Sequence, residues 1–212
     1  MGDEWASCCW WTSGWNQRAH FDLPESGPRL PGHCLVAAIN ALLPSDIRIL
    51  SAARTCQAFQ ARFGATSKEA RDQIWNAPVM NPMLLGHAWH VPQELDLTAV
   101  REAAALLLGH HDFRAFTSRR DGNLTEPTRT LTRCDVHDNG LLLTFIIEGD
   151  GFLYKMCRGI VGTLVKTGRG QMTCSEVKEL LIHPATHLGK LNAPAQGLVL
   201  CKVSYSPRLN PE

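Results

Sequence analysis

The stretch from Thr130 to Gly168, TLTRCDVHDNGLLLTFIIEGDGFLYKMCRGIVGTLVKTG, reads as a hairpin that runs directly into a helix. Thr130 to His137 and Leu141 to Glu148 alternate in polarity, and Asp138-Asn139-Gly140 between them supplies the positive φ that a tight hairpin turn requires. From about Phe152 to Lys166 the period changes to that of a helix. Phe152, Met156, Ile160 and Leu164 form one apolar stripe, Val161 and Val165 widen it, and Gly168 ends it. A further helix is expected from Ser175 as N-cap, with Glu176 and Glu179 in its first turn, where carboxylates meet the positive end of the helix dipole. Gly197 to Tyr205 reads as a closing strand.

Working back toward the N-terminus, Asp96 to Leu108 is an amphipathic helix capped by Asp96 and ended by Gly109, with Leu97, Val100, Ala104, Leu107 and Leu108 inward. Gly32 to Leu43 is another, with Leu35, Ala38, Ile39 and Leu42 on one face and Pro44 as its stop. Asp46 to Arg54 and Ala58 to Trp75 read as an antiparallel pair. Within the second, Lys68-Glu69-Ala70-Arg71-Asp72-Gln73 has helix propensity and no apolar alternation where a strand should continue. Strands and helices mixed in this order, with hairpins, predict an α+β fold: a central, mainly antiparallel sheet with helices on one face.

The 212 residues are ample for a real core, and 44% hydrophobic with 19% charged residues is a globular composition. The start, MGDEWASCCWWTSGW, is acidic and Trp-rich and has no period, unlike a secretory signal, and no apolar run is long enough to span a bilayer. The net charge is +1, yet the cations are 15 Arg against 6 Lys, a bias that favours bidentate contacts to phosphate or carboxylate. The eight cysteines contain no C-x-x-C pair, so reduced, buried thiols and an intracellular protein are expected.

Arg158 is the residue that calls for chemistry. It lies on the margin of a strongly apolar helix, four residues after Tyr154, where a guanidinium needs a carboxylate or phosphate partner or else must snorkel its stem to solvent. His183 and His187 have the i, i+4 spacing of a metal pair, but Pro184 lies between them and no third ligand is near, which favours a surface loop. His110-His111-Asp112 reads as a cationic helix end followed by a turn. There is no G-x-S-x-G, P-loop or dinucleotide fingerprint.

Seven segments, in order, resemble the TruA family of tRNA pseudouridine synthases: QRAHFDLP at 17–24, AINALLPSDIRI at 38–49, FQARFGATSKEARDQIWN at 59–76, LLGHHDFRAFTS at 107–118, PTRTL at 127–131, GFLYKMCRGIVGTLVKTGRG at 151–170 and NAPAQGLVLCKVSY at 192–205. The resemblance implies a pseudouridine synthase-like α+β fold with an incomplete first subdomain. It divides the chain into an irregular leader at 1–15, the rest of an N-terminal subdomain at 16–95, a C-terminal subdomain at 96–206 and a tail at 207–212. It also implies conversion of uridine to pseudouridine in tRNA, with no metal or cofactor, a tRNA or other structured RNA as partner, a homodimer and no membrane.

The family's chemistry needs a carboxylate that acts on the sugar or the base as the glycosidic bond is exchanged, and an extruded base. Its Asp lies in a G-R-T-D-x-G-V-H-A segment, and the family spacing puts Cys9 of ASCCWWTSGWN at that place. The family's Tyr-x-Tyr, one of which packs on the target base, reads Ala70-Arg71-Asp72. The resemblance assigns Arg158 as the partner of that absent Asp and Phe152 and Leu153 as pocket wall, and it leaves Arg114, Arg119, Arg120, Arg129, Arg133 and Arg169 as candidates for RNA phosphates. On this reading no Asp or Glu lies within reach of Arg158, Asp22 and Asp150 do not replace the missing one, and the chain is inactive. The alternative is a non-catalytic RNA-binding or ribonucleoprotein component.

Overall fold

The computed structural model describes residues 13–15, 17–22, 30–55, 59–117, 126–183 and 192–206. In chain order the described elements are β1 (Ser13–Gly14), α1 (Gly32–Leu42), β2 (Ala65–Trp75), β3 (Trp89–His90), α2 (Leu97–Leu106), β4 (Gly109–Asp112), β5 (Thr128–Asn139), β6 (Leu142–Gly149), α3 (Met156–Gly168), α4 (Cys174–Ile182) and β7 (Leu198–Tyr205). The sheet order is β1-β7-β2-β6-β5-β4, with β3 beside β2. β2–β6, β6–β5 and β5–β4 are antiparallel, and the two-residue strands β1 and β3 pair in parallel with β7 and β2. This is the α+β architecture that the alternation and the helical stripes predict. No helix among the described residues is long and apolar enough to cross a membrane.

The chain forms two compact units, one of Met1–Gln17 with Ser67–Val203 and one of Arg18–Thr66 with Ser204–Glu212. In the larger unit Ala70 and Ile74 of β2, Val100, Ala103 and Ala104 of α2, Leu131 and Val136 of β5, Phe145 and Ile147 of β6 and Ile160 and Leu164 of α3 belong to one buried cluster. β2 therefore shares its core with the helices that follow it.

The hairpin turn is as expected, with Gly140 at φ +75° and its N–H donating to Asp138 Oδ1 at 2.9 Å. The stretch 68–73 is a strand in spite of its helix propensity, because Lys68 to Trp75 pair residue for residue with Gly149 to Leu142. Several boundaries differ from expectation. Asp46 to Arg54 is not a strand: the Asn40 carboxamide donates to Ile49 O and accepts from Ile49 N at 2.9 and 2.8 Å, and Arg48 donates to the carbonyls of Leu43 and Ile47 just after α1, so local contacts hold this segment. The stripe of α1 is not buried, since periodicity specifies a face but no partner for it; Leu42 is 88% exposed. The cap of α4 is Thr173, two residues before Ser175, because Thr173 and Glu176 complete a reciprocal capping box. Ala103 of α2 is buried, and Leu108, two residues past the end of α2, is exposed. His110–Asp112 is part of a strand, not a turn, as its backbone pairs with β5. Ser13–Gly14, at the end of the expected irregular leader, pairs with Val199 and Leu200; residues 1–12 lie outside the described residues.

Asn76 ties the end of β2 to the segment before α2. Its Nδ2 donates to Val91 O at 2.8 Å and Gln93 O at 2.6 Å, and its Oδ1 accepts from Leu95 N at 3.2 Å. Asn76→Ala leaves these partners without a protein partner and should destabilise the protein by about 2 kcal/mol. Urea denaturation of the variant checks this.

Candidate functional site around Arg158 and Asp72

Helix α3 is buried at 11 of its 13 positions, and the two exceptions are Arg158 and Lys166. Such a helix needs cover on all sides, and glycine provides it at Gly159, where a Cβ would overlap the carbonyl oxygen of Phe116. Thr163 and Thr167 turn their hydroxyls back onto Gly159 O and Thr163 O, at 2.9 and 3.2 Å, so they bury no unsatisfied donor. Arg158 sits in the first turn, half-buried. Its Nε donates to Ala193 O at 2.6 Å, and Ala193 N donates to Arg158 O at 3.0 Å. This reciprocal pair fastens the segment that leads into β7 onto α3.

Asp72 lies on the central strand β2, opposite Phe145 of β6. It is 1% exposed, and neither carboxylate oxygen has a hydrogen-bond partner. Burial pushes its pKa up to about 7, against the pull of the Arg158 guanidinium. Gly197 closes over it: a Cβ there would meet Asp72 Oδ1 and Gln73 O at 2.5 Å, so only glycine allows β7 to start so close to β2. By the alternation of the strand, Glu69 and Arg71 point to the opposite face, where they pair at 2.7 Å.

No ion pair within 4 Å joins Arg158 to a carboxylate among the described residues, yet its charge acts on that of Asp72. That residue is neither Asp22 nor Asp150. Asp150 accepts from Thr130 N at 3.1 Å through both oxygens, a contact that caps the start of β5. Sequence reasoning treated Asp72 only as a departure from Tyr-x-Tyr. The signal that finds it is strand parity: Ala70, Asp72 and Ile74 share the inward face, where a charge is out of place.

The other site residues are dispersed. Leu153 is buried in the core and Phe152 is packed half-buried against it. Arg114 grips Asp112, Nη2 to Oδ2 at 2.6 Å and Nε to Oδ2 at 2.9 Å. Burial raises the Asp112 pKa, but the Arg114 contacts outweigh it and hold the carboxyl below its ordinary value. Arg133 pairs with Asp135 at 2.6 Å, and Arg129 donates to Glu126 O at 2.9 Å and Thr128 O at 2.5 Å. Arg169 follows α3, and eleven residues of helical rise put it about 16 Å from Arg158. Its Nε is buried without a partner. Arg119 and Arg120 lie outside the described residues, as does His187, while His183 Nε2 lies 3.6 Å from Glu179.

The model of the family described as tRNA pseudouridine synthase matches residues 103–206, which include α3, Arg158 and Ala193. The chain is 39% identical over 191 residues to tRNA pseudouridine synthase A of Methylacidiphilum infernorum, covering 90% of this chain and 74% of that one. The chain belongs to the TruA family of tRNA pseudouridine synthases. It is likewise 42% identical over 176 residues to the Shouchella clausii protein of the same name, covering 82% and 66% of the two chains. With the Geobacter sulfurreducens protein of that name it shares 38% over 188 residues, covering 88% and 75%. Against this family background Asp72 stands out, because the resemblance puts an aromatic ring there.

The sign of the Asp72 shift makes a stability prediction. A carboxyl that titrates near 7 when folded and near 3.8 when unfolded binds more protons in the folded state between those values, so stability falls as pH rises from about 4 to about 7 and is level above. The full effect is a few kcal/mol at most. Asp72→Asn should abolish this slope and be more stable than the parent at pH 8, as measured by urea denaturation across pH.

Proposed function

We propose that this chain acts on uridine in tRNA, as a pseudouridine synthase that works without the family's catalytic Asp segment. The observation that carries the reading is Arg158, fixed at the start of the buried helix α3 by Ala193 within the part of the chain that matches the family. Isomerisation breaks the C1′–N1 bond and joins C1′ to C5 with no net redox change, so it needs a carboxylate, a cation and an extruded base rather than an electron carrier. Phe152, Leu153 and Arg158 form the proposed base pocket. Cys9 stands where the family spacing puts the Asp, so the carboxylate has to come from another part of the chain.

A second reading is favoured by the same departure. Without that Asp segment the chain is inactive and persists as an RNA-binding component. Arg114, Arg129 and Arg133 already engage neighbouring carboxylates or carbonyls, which leaves phosphate contacts that are weak and sequence-tolerant. The homodimer that the family implies belongs to the proposal too, and sedimentation of the purified chain tests it.

Release of tritium from tRNA carrying 5-tritiated uridine separates the readings, since the C5 hydrogen is lost only if the base is re-joined through C5. Turnover is expected, and Arg158→Ala should lower it by about 100-fold or more. Salt-sensitive binding of tRNA with no tritium release would establish the binding component instead.

A further inference from the structure

The inward-facing Asp72 is an acidic residue that the family reading leaves without a task. We propose that Asp72 is the catalytic carboxylate of this chain, acting on C1′ of the target uridine opposite Arg158 from the central strand rather than from the segment near Cys9. The proposal rests on the reading of the chain as a uridine isomerase.

Three observations converge on it. A side chain that is 1% exposed, with both oxygens unpaired, is a destabilising choice on a strand whose inward neighbours are Ala70 and Ile74, and native proteins keep such groups at working sites. Of the elements packed against it, β6 presents Phe145, the turn before β7 presents Gly197, and α3 presents Arg158, the charge that acts on it; Glu69 and Arg71 occupy the other face of β2. Gly197 lies over Asp72, four residues after Ala193, which a pair of hydrogen bonds with Arg158 holds to α3. An RNA phosphate or uracil carbonyl that draws the Arg158 guanidinium from Ala193 O releases this cover and brings the ribose to the carboxylate.

The chemistry balances. The ionised carboxylate forms a C–O bond to C1′ as C1′–N1 breaks, and the bonding pair leaves on N1 of the uracil. The base turns, C5 bonds to C1′ as the C–O bond to Asp72 breaks, the C5 proton passes to water and N1 takes a proton from water. Asp72 is regenerated, and the product is an isomer of the substrate.

The test uses the full chain, unmodified tRNA with 5-tritiated uridine, and Asp72→Asn, which keeps the shape and removes the ionisation. The expected result is tritium release by the parent chain, a loss of about 100-fold or more in Asp72→Asn, and unchanged tRNA affinity by filter binding. The parent rate should also rise through neutral pH as one carboxyl ionises. Should Asp72→Asn fail to fold, a parent rate that is flat from about pH 5.5 to about pH 8 overturns the proposal, and one that rises supports it. Full activity in Asp72→Asn removes the role of Asp72 while the isomerase reading stands. A parent chain that binds tRNA and releases no tritium removes both.

Discussion

Helix α3 is apolar almost all round, and covering it on every side is the constraint from which the rest of the larger unit follows. Ile160, Val161, Leu164 and Val165 are each at most 1% exposed, which takes a sheet on one side and other helices around the remainder. At Gly168 a Cβ would meet Val100 and Leu95, so α2 and the residues before it come within backbone distance there, while Asp96 N donates to Gly168 O at 2.8 Å. Because both ends of the helix are fixed by such close approaches, Arg158 is held in place by the packing of its whole helix as well as by Ala193.

The same packing creates the tension at Asp72. Its strand pairs with β6 over eight residues, and that ladder sets which side chains face the helices. A one-residue slip would turn Asp72 away from the core but would also turn Ala70 and Ile74 away from it and bring Arg71 in. The register that buries the hydrophobic residues therefore also buries the carboxylate, and the nearby guanidinium offsets only part of that cost. A core and a buried carboxylate are thereby specified by one pairing.

The hairpin at Asp138–Gly140, the stripe of α3 and the Asp96 cap were legible because turn chemistry, helical period and capping are local properties. Arg158 was legible as an out-of-place cation on an apolar helix. Resemblance located the family but could not say what its departures do. Lys68 to Gln73 reads as helix by propensity and is a strand, and Asp46 to Arg54 alternates like a strand and is held by Asn40 and Arg48. In both cases hydrogen bonds to partners that composition does not reveal outweighed preferences of a few tenths of a kcal/mol per residue.

By itself, then, the sequence determined the α+β class, the Asp96 cap, the hairpin and the family, all of which depend on neighbours within a few residues or on the order of the motifs. Only the tertiary structure decided that Asp72 is buried under Gly197 where the charge of Arg158 acts on it, and that Arg114 and Arg133 are already paired with carboxylates. Asp72 and Arg158 are 86 residues apart in the chain. What joins them is the packing of α3 against the sheet, and with it the loss of the water that would otherwise screen one charge from the other.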